Sequence, residues 1–138
     1  MGKTRRASFR ERVETRAARR CEYCRAPQSA CGYRFHLEHI TPIAEGGSDD
    51  DANRALACAA CNLAKSDRTT GVDPESGVTV ALFNPRADLW EAHFRWLDDR
   101  QTLLGLTPVG RATVIALNLN DELRLEARQL WFEAGLLP

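Results

Sequence analysis

Phe35-His36-Leu37-Glu38-His39-Ile40-Thr41-Pro42 opens the stretch of sequence that decides the fold, and Cys58-Ala59-Ala60-Cys61-Asn62-Leu63-Ala64-Lys65 closes it. A Gly46-Gly47 pair and Asn53 lie between these two segments. The stretch therefore brings together a carboxylate beside an imidazole, two amide side chains, a lysine and half of a metal site. This density of site-forming side chains predicts a catalytic site, because a purely structural segment rarely needs it.

The cysteines predict a metal site that reaches beyond this stretch. Two C-x-x-C pairs, Cys21/Cys24 and Cys58/Cys61, are separated by 33 residues, and Cys31 lies outside both. A two-residue spacer lets both sulfurs of a pair reach one ion, so two pairs predict a tetrahedral, four-thiolate structural Zn²⁺ site. A disulfide framework would need an oxidising compartment, and a redox motif would need a βαβ pattern. Neither is indicated, and Cys31 is expected to be a free thiol.

Charge is distributed unevenly along a chain whose formal net charge is zero. Residues 1–34 carry ten Lys or Arg against three Glu, whereas residues 35–70 carry three against six and residues 71–138 carry six against ten. A basic N-terminal arm suits a polyanion such as nucleic acid. The arginines expected to bind it are Arg10, Arg16, Arg19 and Arg20. The alternative is a solvated, arginine-rich helix with no ligand.

Local patterns predict the elements around the motif. Ser8-x-x-Glu11 has the spacing of a capping box, so a helix should run from Phe9 to about Arg19. Residues 27–32 should form a loop. Residues 34–40 alternate as a strand, a short returning strand covers residues 55–57, and a helix begins at Cys58 or Ala59. Strand alternation points Glu38 and His39 to opposite sides, so a site that uses both must lie where the strand ends or bends.

Residues 69–138 are less informative. A strand is predicted over residues 78–83, and a hairpin is preferred to a helix over residues 88–106. Thr107-Pro108 should start a helix that runs to about Leu119. The last helix should begin at residues 120–122 and end at Gly135, with one apolar stripe facing the core. That stripe consists of Leu123, Ala127, Leu130, Trp131 and Ala134.

The motif as a whole resembles the HNH endonuclease family, in its form with a four-cysteine zinc site. The resemblance rests on Glu38-His39-Ile40-x-Pro42, Gly46-Gly47, Asn53 and Cys58-x-x-Cys61-Asn62-x-x-Lys65, within residues 21–68. Residues 82–96 also resemble small standalone bacterial HNH proteins. The resemblance implies an α+β fold: a ββα-metal core with zinc knuckles, preceded by a basic helix and followed by a β-hairpin and two C-terminal helices.

The resemblance also implies roles for the site residues. His39 would be the general base that activates water, and Glu38 and Asn62 would hold a catalytic divalent cation. Asn53 would orient the loop that carries the histidine, and Lys65 would contact a phosphate. Many members of the family have histidine where this chain has Asn62. An amide oxygen is a harder ligand than imidazole, which favours Mg²⁺ or Mn²⁺.

The residues support the same chemistry without the family. Phosphodiester hydrolysis needs a base that works near neutral pH, which histidine supplies, and a cation that neutralises charge on the phosphate. The expected function is therefore a metal-dependent endonuclease that acts on nucleic acid, with DNA expected and RNA left open. The alternative is a zinc-stabilised nucleic-acid-binding module whose nuclease site is vestigial. A plasmid-nicking assay separates the two.

Length and hydropathy complete the expectations. The 138 residues should form one domain, with the nuclease core at 8–68 and a C-terminal extension at 69–138 packed on that core. Apolar runs of membrane-spanning length and an apolar signal region are both lacking, so a cytoplasmic protein without a membrane partner is expected. The sequence indicates no protein partner.

Overall fold

The computed structural model describes residues 7–137 of the chain. Its first helix, α1 (Phe9–Arg16), is capped by Ser8, whose hydroxyl accepts a hydrogen bond from the Glu11 backbone N–H at 3.1 Å. The helix ends three residues before the predicted Arg19, because Ala18 and Arg19 adopt left-handed backbone conformations, with φ of 54° and 56°. This turn leads the chain directly to Cys21.

A short helix stands where a loop was predicted after the first cysteine pair. Residues 27–32 contain α2 (Gln28–Cys31), which ends at Gly32 with a φ of 77°. The loop prediction was therefore wrong for this segment. One helical turn between Pro27 and a left-handed glycine is too short to produce a periodic sequence pattern.

The centre of the structure is an antiparallel hairpin followed by a helix. Strand β1 (His36–His39) pairs with β2 (Arg54–Ala57), and His39 lies opposite Arg54. The loop between the strands contains two 3₁₀ turns, Ile43–Glu45 and Asp51–Asn53. Helix α3 (Ala59–Lys65) follows directly, with Cys58 as its N-cap. These elements form the predicted α+β arrangement, a ββα unit with cysteine knuckles at its start and at its helix.

Two further hairpins follow this unit. Strand β3 (Thr70–Val72) pairs with β4 (Thr79–Ala81), so the predicted strand at residues 78–83 has a partner that the sequence pattern did not indicate. A one-turn helix, α4 (Trp90–His93), then leads into β5 (Phe94–Trp96), which pairs with β6 (Leu103–Gly105). The hairpin preferred for residues 88–106 is present, although four residues before its first strand, Trp90–His93, are helical.

The last two helices are α5 (Pro108–Ala116), capped by Thr107, and α6 (Glu122–Glu133), capped by Asp121. Helix α6 has the predicted bounds, but only part of its predicted apolar stripe faces the core. Trp131 packs against the core, whereas the exposed fractions of Leu123 and Leu130 are 71% and 64%, and Arg128 is 2% exposed. Helical periodicity therefore predicted only part of the face that tertiary packing buries.

The C-terminal elements contact the first part of the chain through buried aromatic residues. The Trp90 indole Nε1–H donates a hydrogen bond to the Tyr23 carbonyl at 2.9 Å, and the rings of Tyr23 and Phe83 pack edge to face at 6.3 Å. Trp90 is buried, and Trp96 and Trp131 pack against the same core, as expected for core anchors. Within residues 7–137 there is no helix long and apolar enough to cross a membrane.

Candidate metal centre and catalytic cleft

Four cysteines converge in the interior. The sulfur atoms of Cys21, Cys24, Cys58 and Cys61 all lie within 4.8 Å of one another, and all four residues are buried. The Sγ atoms of Cys24 and Cys58 are 3.7 Å apart. Tetrahedral zinc with Zn–S bonds of about 2.3 Å requires sulfur separations of about 3.8 Å. The four-cysteine cluster therefore fits a structural zinc site.

Local backbone structure shapes each cysteine pair. At the first pair, Arg25 adopts a φ of 67° and the Cys24 N–H points to the Cys21 sulfur at 3.5 Å. At the second pair, Cys58 caps α3 and its sulfur accepts from the Cys61 N–H, also at 3.5 Å. Cys31 is not part of the cluster, and burial raises the pKa of its thiol to about 11. A thiol with this pKa is protonated at neutral pH, which fits the predicted free cysteine.

His39 is the last residue of β1, and an aspartate from the following loop holds its ring. The Nε2 atom of His39 lies 2.7 Å from Oδ1 of Asp49, and the hydrogen bond to His39 lowers the pKa of Asp49. The Arg54 guanidinium is 4.0 Å from the same carboxylate oxygen. With Nε2 engaged by Asp49, Nδ1 is the ring nitrogen available to accept a proton, a tautomer assigned from the hydrogen-bond network.

Asn53 joins both ends of the loop that carries Asp49. Its amide nitrogen donates to the carbonyls of Thr41 and Ser48 at 2.9 and 2.8 Å, and its amide oxygen accepts from the Thr41 N–H at 2.9 Å. Gly47 lies against this junction, since a Cβ there would be 1.9 Å from the Thr41 carbonyl oxygen. Any side chain at Gly47 would displace the loop. The contacts are those expected of a residue that orients the histidine loop.

Glu38 is buried and paired with Lys65. The Lys65 ammonium lies 2.6 Å from Oε1 of Glu38, yet neither carboxylate oxygen accepts a well-oriented hydrogen bond within residues 7–137. Burial raises the pKa of Glu38 more than the nearby Lys65 charge lowers it. The buried hydroxyl of Tyr23 is a further neighbour of this carboxyl group and, together with Lys65, opposes the rise of its pKa.

The structure does not place Lys65 where a phosphate could reach it. Its side chain is 2% exposed, and its ammonium donates to the Ile40 carbonyl at 2.9 Å in addition to pairing with Glu38. Lys65 was predicted to contact a phosphate. The structure instead gives it a structural role, as the partner of Glu38 and of the Ile40 carbonyl. Lysine three residues after Asn62 faces the buried side of α3 because the helix packs directly on β1.

A single cleft of about 420 Å³ is lined by Glu38, His39 and Asn62. Glu38 and His39 both line it, although neighbouring residues of a strand point to opposite sides. The strand ends at His39, so the cleft wraps around its end. The Asn62 side chain makes no hydrogen bond within residues 7–137, and its amide is free to serve as a ligand. A carboxylate and an amide oxygen are a donor set that Mg²⁺ or Mn²⁺ accepts. His36, Ser66 and Asp67 complete the polar part of the lining.

Most of the arginines predicted to bind nucleic acid hydrogen-bond within the chain. Arg10 donates to the Phe35 carbonyl at 3.0 Å, and Arg16 donates to the carbonyls of Asp51 and Arg54 at 2.9 and 2.7 Å. Arg20 makes a longer bond of 3.4 Å to the Arg25 carbonyl. Arg19 is exposed and, of the four, has no such bond in the described part of the chain. Phosphate binding by this helix stays a prediction.

Sequence reasoning missed one residue of the cleft region and one beside the cysteines. Asp49 follows His39 by ten residues in the loop between β1 and β2, and the run of three aspartates that it begins was the available signal for a carboxylate near the candidate base. Arg124 contacts two of the cysteine sulfurs from α6, at 2.9 and 3.9 Å. No local pattern in the sequence marks it, since it lies 63 residues beyond Cys61.

Residues 21–68 match the family described as HNH endonuclease. No curated protein and no solved structure matches the chain. The match covers both cysteine pairs, the β1–β2 hairpin and α3, and it includes every residue that lines the cleft. Residues 21–68 are therefore similar to the HNH endonuclease family, and they contain a four-cysteine cluster arranged for a metal ion.

Proposed function

We propose that this chain is a metal-dependent endonuclease that hydrolyses phosphodiester bonds of nucleic acid, with DNA as the expected substrate. The observation that carries the proposal is the cleft in which Glu38, His39 and Asn62 meet, with His39 held by Asp49. The cleft brings a base and a cation-binding pair to one place. The HNH domain match over residues 21–68 supports the reaction class.

His39 is the proposed general base. Its Nε2–H donates to Asp49, so Nδ1 can take a proton from a water molecule that attacks phosphorus. The carboxylate of Asp49 fixes the ring and stabilises the imidazolium that forms. The Arg54 guanidinium lies 4.0 Å from the same carboxylate oxygen. Asn53 holds the loop on which Asp49 depends. Asp49, Arg54 and Asn53 are therefore positioning residues.

Glu38 and Asn62 are the proposed ligands of a divalent cation, Mg²⁺ or Mn²⁺. When bound, the cation would neutralise charge on the scissile phosphate and on the leaving oxygen. Lys65 keeps the buried Glu38 carboxylate in place through its ion pair. Because Lys65 is itself fixed by the Ile40 carbonyl, it contributes a charge that holds Glu38 rather than one that binds substrate.

The Glu38–Lys65 pair also favours the second candidate function. A lysine that already neutralises the metal-binding carboxylate would allow the fold to exist without a catalytic cation. The chain would then be a zinc-stabilised nucleic-acid-binding module with a vestigial nuclease site. An intact His39–Asp49 pair argues against this candidate, because binding alone does not need an oriented base.

A plasmid-nicking assay with Mg²⁺ or Mn²⁺ tests the proposal. Wild-type protein should nick plasmid, and His39→Ala should lose on the order of 10²- to 10⁴-fold in rate, the usual contribution of a general base. DNA affinity should be retained, since the base acts only as the water develops charge. His93→Ala is the matched control, because His93 bonds Thr107 away from the cleft. Equal nicking by wild type and His39→Ala would leave the binding module as the function.

A further inference from the structure

Arg124 joins helix α6 to the cysteine cluster. Its Nη2 lies 2.9 Å from the Cys61 sulfur and 3.9 Å from the Cys58 sulfur. Its Nη1 donates to the carbonyls of Leu117 and Asn118 at 2.9 and 3.3 Å. One guanidinium therefore contacts the metal-binding cluster with one end and the turn between α5 and α6 with the other. This residue lies outside the matched domain of residues 21–68.

The charge of the cluster gives the contact its strength. Four thiolates around one Zn²⁺ carry a net charge of about −2, which is costly to bury without a compensating cation. The Arg124 guanidinium supplies half of that compensation and donates charge-assisted N–H···S hydrogen bonds. Loss of zinc would release the sulfurs from their fixed positions, and Arg124 would lose its contact with the Cys61 sulfur.

Helix α6 depends on such contacts more than its sequence indicates. Leu123 and Leu130 are 71% and 64% exposed, whereas Trp131 near the C-terminal end of the helix packs on the core and Phe132 packs edge to face on Trp96. Arg128, one turn beyond Arg124, is buried and donates to the Gln101 and Leu119 carbonyls. Arg124 and Arg128 therefore attach this part of the helix to the rest of the chain.

We infer that Arg124 couples zinc binding to the docking of α6. Zinc would fix the positions of the Cys58 and Cys61 sulfurs, and the contact of Arg124 with these sulfurs attaches α6 to the cluster. Because linkage is reciprocal, a docked α6 also increases the affinity of the cysteines for zinc. The C-terminal extension thus responds to the metal state of the domain. This inference does not depend on nuclease activity.

Zinc release from the zinc-loaded full chain to a chromophoric chelator tests the coupling. Arg124→Gln keeps hydrogen-bonding capacity and removes the charge, so zinc affinity should fall by roughly 10- to 100-fold, as when other partners of metal ligands are lost. Arg124→Lys keeps the charge and should lose less. Arg95→Gln is the matched control, because the Arg95 side chain is exposed on β5 and makes no hydrogen bond or ion pair within residues 7–137. Zinc release from this variant should equal that of wild type.

Three results of this assay overturn the inference. They are wild-type zinc release by Arg124→Gln, equal acceleration in Arg124→Gln and Arg95→Gln, and release by Arg124→Lys as fast as by Arg124→Gln. The last result would show that charge does not hold the cluster. Faster release by Arg124→Gln with an intermediate Arg124→Lys supports the inference.

Hydrogen exchange of the wild-type chain keeps the inference testable if Arg124→Gln does not fold. After chelation, backbone amides of α6 should lose protection before those of α5, which does not touch the cysteines. Loss of protection at the same rate in both helices would indicate one cooperative unit without specific coupling, and retained protection in α6 would indicate no coupling. Either result overturns the inference.

Discussion

The His39 ring and the Asp49 carboxylate form a hydrogen-bonded pair, with 2.7 Å between Nε2 and Oδ1. Asp49 is 80% exposed and His39 is 31% exposed, so the pair lies at the mouth of the cleft rather than in the core. Two further contacts keep Asp49 near His39. Arg54 lies on the same carboxylate oxygen, and Arg12 binds Asp51 through two hydrogen bonds.

The first prediction concerns Asp49. Asp49→Asn keeps the shape of the side chain and removes its charge, so the imidazolium formed during catalysis loses its partner. We expect kcat to fall roughly tenfold with KM unchanged, which corresponds to the loss of one exposed charge-assisted hydrogen bond. The pH-rate profile should shift as well, because the neighbouring negative charge is gone. Asp50→Asn is the control, and a loss as large in Asp50→Asn as in Asp49→Asn would contradict a specific role for Asp49.

The second prediction concerns the cysteines. Cys61→Ser should abolish stoichiometric zinc binding and destabilise the region from Cys21 to α3, because metal-binding energy at such sites is folding energy. Cys31→Ser should retain one zinc per chain, since Cys31 lies outside the cluster. Metal analysis of purified proteins, together with thermal denaturation, measures both effects. Zinc loss in Cys31→Ser would mean that the ligand set differs from the four cysteines found together.

The third prediction separates structural from nucleic-acid-binding arginines. Arg16 hydrogen-bonds to two carbonyls of the core, so Arg16→Gln should lower thermal stability and leave the salt dependence of DNA binding unchanged. Arg19 has no hydrogen bond among the described residues, so Arg19→Gln should preserve stability. If Arg19 contacts a phosphate, the slope of log K against log salt falls by about 0.9. A slope unchanged in Arg19→Gln would show that Arg19 does not contact a phosphate. The basic residues before Ala7 lie outside the described part of the chain.

The fourth prediction concerns pH and the C-terminal extension. Arg111 donates two hydrogen bonds to Asp73, at 2.8 and 3.0 Å, and holds the pKa of Asp73 well below its usual range. A depressed pKa in the folded state gives stability that is present above the ordinary aspartate pKa of about 3.9 and is lost as the pH falls further. Asp73→Asn should therefore be less stable than wild type at pH 7.

The difference in melting temperature between Asp73→Asn and wild type should stay constant from pH 7 to about 5 and narrow below about 4, where Asp73 takes up a proton in the unfolded chain while it is still ionised in the folded chain. Asp98→Asn is the control, because Asp98 lies in the turn between β5 and β6 and makes no ion pair within residues 7–137. A difference that stays the same down to pH 3 would mean that the Asp73 charge does not stabilise the fold.

Local sequence determined the central unit of this protein. The C-x-x-C spacing specifies how two sulfurs approach one ion, Ser8 caps the first helix, and period-two alternation marks β1, because each of these signals acts over a few residues. The glycine pair is equally local, since Gly47 must approach Thr41 without a Cβ. The zinc cluster and the ββα order could therefore be predicted from the sequence.

Only the tertiary structure decided which charged side chains meet. Lys65 pairs with Glu38, Asp49 with His39, Arg16 with the carbonyls of Asp51 and Arg54, and Arg124 with Cys61. Before folding, each of these side chains could equally be solvated, because local pattern does not state which element packs above it. Where folding buries a charge, as at Lys65 and Glu38, that charge must find a partner, and the partner is supplied by whichever distant segment the fold brings within reach.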